Sequence, residues 1–157
     1  MAGRPHQPAD VRQGCGETMG IDLYSPPERL ALVSLPPRYY REVLVHLSEV
    51  DGLVQLTRDA AEITLILAED RWSHLATHFP EARYIGGRRL IQFNLTLDFA
   101  IIGFLAEVTR LLAAAGISVF AISTWRTDAV LVAEESFNKA VEVLSKAPSL
   151  HKIARME

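Results

Sequence analysis

Two stretches of the chain concentrate groups that could hold a small charged ligand. The first is Leu97-Asp98-Phe99-Ala100-Ile101-Ile102-Gly103-Phe104-Leu105, where a strand pattern runs directly into a helix pattern. At such a junction the first backbone N–H groups of the helix lack partners and the helix dipole is positive, which makes a seat for a carboxylate. Asp98 stands where it either caps the helix or accepts from a ligand ammonium. Gly103 lets a ligand or another backbone come close. A plain capped helix with a packing glycine is the competing reading.

The second stretch is Ala121-Ile122-Ser123-Thr124-Trp125-Arg126-Thr127-Asp128-Ala129-Val130-Leu131-Val132. Hairpin turns are usually rich in Gly or Asn. This one is built from hydroxyls, a Trp, an Arg and an Asp, so Thr124, Thr127 and Asp128 offer several donors and acceptors. Short polar side chains also make turns without binding anything.

Catalytic patterns are weaker. His74 and His78 are four apart on a helix pattern, a spacing zinc sites use. No third ligand is near, and two surface histidines opposite a Trp72/Leu75/Phe79 stripe are expected instead. Ser34, Ser48, Ser123 and Ser136 lie in no Gly-x-Ser-x-Gly elbow. Cys15, the single cysteine, has no fixed base beside it. Gly86-Gly87-Arg88-Arg89 precedes a strand rather than a helix, so it lacks what makes a phosphate loop work; a plain turn is expected. The sequence therefore calls for no enzyme activity, metal or cofactor.

The elements that would position the two stretches read as a repeat. Leu30–Leu35 is a strand stopped by Pro36-Pro37. Tyr40, Val43, Leu44 and Leu47 form a helical stripe broken at Asp51-Gly52. Strands Leu53–Thr57 and Ile63–Leu67 follow, then a helix capped at Asp70 with Trp72, Leu75, Ala76 and Phe79 on one side, ended by Pro80. The second half gives a strand Arg89–Leu97, with Ile91, Phe93, Leu95 and Leu97 facing one way. A helix then carries Ile101, Leu105, Val108, Leu112 and Ala115, with Gly116 in the C′ place. Strands Ile117–Ser123 and Ala129–Ala133 precede a last helix from Ser136 with Phe137, Ala140, Val141 and Leu144. Lys152–Met156 is assigned to an edge strand. Asp70 and Ser136, like Glu62 and Asp128, are 66 positions apart, which fits duplication of a small α+β unit. Each half alone would have a marginal core.

Bulk composition sets the class. The chain has 157 residues, 49% hydrophobic and 22% charged, with a net charge of −3. That charge argues against a nucleic-acid partner, and no apolar run approaches the roughly 20 residues of a membrane span. A lone cysteine fits a reducing, cytoplasmic setting. Residues 1–27 have no period and no secretory core, and are expected to be a disordered tail. Residues 28–85 would be the first unit and 86–157 the second.

The two ligand-type stretches together resemble the second unit of an ACT-domain pair of the CASTOR type. The residues that carry the likeness are Leu97-Asp98-Phe99 with Gly103-Phe104-Leu105-Ala106, Leu111-Leu112 with Ala115-Gly116-Ile117, and above all Ala121–Asp128 followed by Val130-Leu131-Val132. In the first half, Leu56-Thr57-Arg58 and Glu62-Ile63-Thr64 resemble the family's first hairpin. The likeness covers about residues 30–147. It implies an α+β fold of two ferredoxin-like βαββαβ units with antiparallel sheets, and a free amino acid bound at the seam between them. Leu97, Asp98, Ile101, Ile102 and Gly103 would contribute from the junction, and Ile122, Ser123, Thr124, Thr127 and Asp128 from the hairpin. The sequence departs from the family at Asn94-Leu95-Thr96, which replaces a Gly-Pro pair, and at Ala100, Ile102 and Ala129, which make the pocket less polar.

The expectation is a non-enzymatic regulatory or sensor module that binds an amino acid or similar small ligand. It would associate as a homodimer or with a protein partner, because exposed strand edges invite pairing. The alternative is a protein–protein interaction module with a degenerate pocket. An RNA-binding reading fails on the lack of paired exposed aromatics on the strands.

Overall fold

Alternating side chains build one sheet with two apolar faces. The computed structural model describes residues 21–94 and 102–154. Along β2 (Leu30–Leu35), Ala31, Val33 and Leu35 turn to one face, and Leu30 and Leu32 to the other. β4 (Ile63–Ala68) divides in the same way, with Ile63, Leu65 and Leu67 against Ile66. A strand buried on both sides needs such a continuous apolar run. The other strands are β1 (Leu23–Tyr24), β3 (Gln55–Arg58), β5 (Arg83–Phe93), β6 (Phe120–Ser123) and β7 (Asp128–Ala133).

All pairings are antiparallel, in the order β3-β4-β2-β5-β7-β6, with β1 also on β5. β5 is the spine. Its residues 83–88 pair with β2 and 88–92 with β7. Beyond the end of β2, Leu23 and Tyr24 pair with Phe93 and Gln92. β3 and β6 stand at opposite ends of this order, yet Gln55 and Thr57 line one cleft with Phe120 and Ile122. The sheet therefore curls until its two margins face each other. Leu30, Ile66, Leu90, Ile122, Ala129 and Leu131 close its concave face.

The convex face carries two separate helical layers. α1 (Tyr40–Leu47) and α2 (Glu69–Leu75) cover β2 and β4 through Val43 and Trp72, joined by Phe79. α3 (Phe104–Ala114), α4 (Phe137–Ser145) and α5 (Pro148–Ala154) cover β5 and β7. Phe104, Val108 and Leu112 recur every fourth residue of α3 and are all buried, as the 3.6-residue period requires. Each such side chain contributes about 1.5–3 kcal/mol by leaving water. The result is a mixed α/β fold with a curled antiparallel sheet of the ferredoxin-like kind.

Four expectations are corrected. Gly86-Gly87 is no turn but a bulge inside β5: two steps of β2 between Leu30 and Leu32 span three of β5 between Arg88 and Ile85. Gly87 has φ +59, which a side chain would strain. Its N–H donates to Glu69 Oε2 at 3.0 Å, and a Cβ on Gly86 would collide with the same carboxyl. The pair that looked like an anion loop thus holds the protein's own carboxylate. Second, α2 starts at Glu69, so Asp70 lies inside it and accepts from Arg71 N at 2.7 Å. Third, Lys152–Ala154 belong to α5 rather than to an edge strand, because Pro148 opens a helix and Leu150 and Ile153 turn onto α3 and α4. Residues 155–157 lie outside the described residues. Fourth, part of the expected tail is ordered: Ile21 is buried, and Leu23–Tyr24 form a strand on β5. Residues 1–20, where the remainder of the expected tail falls, lie outside the described residues.

Candidate functional site

Three elements meet at Phe93, the last residue of β5. The β6–β7 hairpin reaches it first, since Thr127 Oγ1 donates to the Phe93 carbonyl. α3 reaches it next, with the Phe104 ring edge-on to the Phe93 ring at 5.0 Å between centroids. From below, β1 is tied there by Asp22, whose carbonyl accepts from Asn94 N at 2.9 Å and whose Oδ2 accepts from Asn94 Nδ2 at 2.6 Å. The end of β5, the start of α3 and the hairpin turn are therefore neighbours.

Gly103 precedes α3 with φ +87 and has no side chain to cap it. Its carbonyl accepts the first intrahelical bond, from Glu107 N at 3.0 Å. The N–H groups of Phe104, Leu105 and Ala106 precede the first intrahelical donor and point out of the helix end. Ile102 beside them is 91% exposed. Glu107 in the first turn is held by Arg110 at 2.6 Å and 2.7 Å. The bonds from Arg110 and from Ser149 of α5 bring its carboxyl down to about 2.

The hairpin is a closed hydroxyl network. Thr124 N donates to Thr127 O at 2.9 Å, and Thr124 Oγ1 to the same carbonyl at 3.0 Å. Thr127 N donates back to Thr124 Oγ1 at 3.3 Å. Ser123 Oγ donates to Asp128 Oδ1 at 2.7 Å. Ile122 is buried in the concave core, and Trp125 at the tip is 81% exposed.

Of the ten residues expected to bind ligand, Ile102 and Gly103 stand at the start of α3, and Ser123, Thr124, Thr127 and Asp128 stand in the hairpin. Ile122 turns instead into the concave core. Leu97, Asp98 and Ile101 lie outside the described residues. His74 and His78 do not combine: the His78 ring lies against that of His46, tilted by 34° with centroids 4.3 Å apart. No metal-type cluster of three His, Cys, Asp or Glu occurs among the described residues, and no helix among them is long and apolar enough to cross a membrane. One feature the motifs did not single out is the cleft of about 140 Å³ between the sheet margins, where Gln55, Thr57 and Thr64 face Phe120 and Ile122. Its only trace in the sequence is polar residues alternating into β3 and β4.

Several solved structures share the fold. A protein from Agrobacterium tumefaciens is 22% identical with a TM-score of 0.61, over 80% of this chain and 87% of that one. A Vibrio cholerae protein of unknown function, described as a possible transport protein, is 15% identical with a TM-score of 0.61, over 87% and 92%. The regulatory subunit of aspartate kinase from Thermus thermophilus is 9% identical with a TM-score of 0.58, over 80% and 96%. At these identities the likeness is one of fold. No curated protein matches the sequence. The family model for the ACT domain matches residues 85–146, from the bulge of β5 through α4, the segment that holds the Phe93 meeting point.

Proposed function

We propose that the chain is a non-enzymatic regulatory module that binds a free amino acid where β5, α3 and the β6–β7 hairpin meet. The bond from Thr127 to the Phe93 carbonyl carries this reading, because it holds the hydroxyl-rich hairpin beside the opening of α3. The ligand carboxylate sits on the N–H groups after Gly103, where the helix dipole favours an anion. The ammonium is met by Asp98 and by the second oxygen of Asp128, whose Oδ1 already serves Ser123. Leu97, Ile101, Ile102, Thr124 and Thr127 complete the walls.

The strand orders support a pair of βαββαβ units sharing β5. One gives β3-β4-β2-β5, and the other β6-β7-β5 with β1 in the fourth place. The resemblance to CASTOR-type pairs supplies the amino acid as ligand. Binding changes association between chains, and a homodimer is the expected assembly.

A second reading, an interaction module with no ligand, draws on the exposure of Ile102 and Trp125 at the same place. Thermal-shift measurement against the twenty amino acids separates the two. A bound ligand stabilises by RT ln(1 + [L]/Kd), about 2.7 kcal/mol at a hundredfold excess over Kd. No shift at millimolar concentration with any of them overturns the ligand reading. If binding occurs but Asp98→Ala and Asp128→Ala both leave it unchanged, the ligand sits elsewhere.

A further inference from the structure

We propose that the cleft between the sheet margins is a second binding site, distinct from the Phe93 meeting point, for a small planar molecule that carries N–H donors. The volume of about 140 Å³ is close to that of an engineered cavity that takes benzene, about 150 Å³. Ile66 and Ile122 give it an apolar floor, and both belong to the concave core. Phe120, 39% exposed, offers an aromatic wall.

The polar groups around it present acceptors. Thr64 Oγ1 spends its proton on Glu62 Oε1 at 3.3 Å, and Ser123 Oγ spends its own on Asp128 Oδ1 at 2.7 Å. Both oxygens keep lone pairs for a ligand. Gln55 lines the cleft, and its Oε1 is buried with no partner. A buried acceptor without a donor is costly, and the described residues do not supply one. Turning the terminal amide, a torsion with broad twofold preference, presents that oxygen to the cleft. Among the described residues no charged side chain lines the cleft, and Glu62 and Asp128 stand behind the two hydroxyls, so the lining disfavours an anion. A primary amide or an amino-substituted ring fits this lining.

Benzamide and benzoate make a matched pair of probes, alike in shape and opposite in donor chemistry. The ¹⁵N-labelled full chain is titrated with each and followed by amide NMR. Benzamide should shift the signals of Gln55, Thr64, Phe120 and Ile122 at millimolar concentration, and benzoate should not. Gln55→Leu, which keeps the bulk and removes an unpaired acceptor, should retain a dispersed spectrum and weaken benzamide about tenfold. Thr57→Trp, which fills the cleft from an edge strand, should abolish the response. The proposal is overturned if benzamide moves none of these signals, if benzoate moves them equally, or if Gln55→Leu binds as the parent does. Signals of Gly103 and Leu105 at the start of α3 report the amino-acid site separately, so failure at one site is not failure at the other.

Discussion

The β3–β4 and β6–β7 hairpins occupy corresponding places in the two halves of the sheet and are tied to it in different ways. The first closes on its own backbone, and its tie to a third strand runs through an exposed side chain, the Glu62 carboxylate that accepts from Ser34 of β2 at 2.6 Å. Asp59 Oδ1 accepts from Ala61 N and Glu62 N at 2.7 Å and 2.8 Å, and Asp59 N donates to Glu62 O at 3.0 Å. The second also closes internally through Thr124 and Thr127, but Thr127 reaches out to the carbonyl of a third strand. A turn whose outside bond is an exposed contact between side chains places no backbone of the strand it touches. A turn bonded to the end of β5 fixes its position against the opening of α3, which is what a binding site needs.

The layers above them differ in the same sense. α1 and α2 close over an aromatic cluster in which Trp72 stacks on Phe79 at 6.2 Å and Tyr39 meets Phe79 edge-on at 5.5 Å. Its rim is sealed by Glu81, which accepts from Tyr39 and pairs with Arg38; those bonds hold its carboxyl below the usual range. α3, α4 and α5 close over a core in which aliphatic side chains surround the Phe93–Phe104 pair and which depends on a strand brought in from the N-terminus. The first half is packing; the second is packing with an open corner.

The largest expected effects test whether the halves are one cooperative body. Leu65→Ala and Leu112→Ala each empty a fully buried site and should each cost about 2–5 kcal/mol. Both should give a single urea transition, because β5 belongs to both halves; separate transitions would break the shared-spine account. Thr127→Val should cost about 1–3 kcal/mol by stranding the Phe93 carbonyl, and should weaken ligand as well. Asp59→Ala should lower the melting temperature less and leave ligand binding alone. Its carboxyl is held below the usual value by the Glu62 and Ala61 amides.

A smaller effect is expected at low pH. Glu107 is shifted from 4.5 to about 2 by Arg110 and Ser149. A depressed carboxylate contributes stability that is complete above its unfolded value and lost as pH falls through the folded one. The α3–α5 contact should therefore weaken between about pH 4.5 and 2. In Glu107→Gln this part of the acid limb of a melting-temperature profile should be missing.

Much of the fold was legible. β2 was readable to the residue and α1 in its place and stripe, though it ends at Leu47, before the expected break at Asp51-Gly52, and leaves Leu44 of the stripe exposed. The misreadings share a cause: tertiary partners override local signals. Leu23–Tyr24 becomes a strand only because Phe93 and Gln92 lie far along the chain. The Gly86-Gly87 pair stays in a strand because Glu69 caps its amide. The helix at Pro148 had a readable signal in its opening proline and the Leu150/Ile153 spacing. At the site, the hairpin chemistry was visible as residue types, but the bond from Thr127 to Phe93 was not, because nothing local specifies a carbonyl on another strand. The cleft follows from the curl of the sheet, which no single stretch encodes.

The central claim is that the second hairpin, unlike the first, belongs to an amino-acid site. Titration calorimetry of whichever amino acid stabilises the chain, on the parent, Asp128→Ala and Asp59→Ala, tests it directly. The account predicts a loss of at least about tenfold in affinity for Asp128→Ala, as expected for a charged hydrogen bond, with Asp59→Ala unchanged. Equal affinities in all three proteins, or equal losses in the two variants, would contradict it.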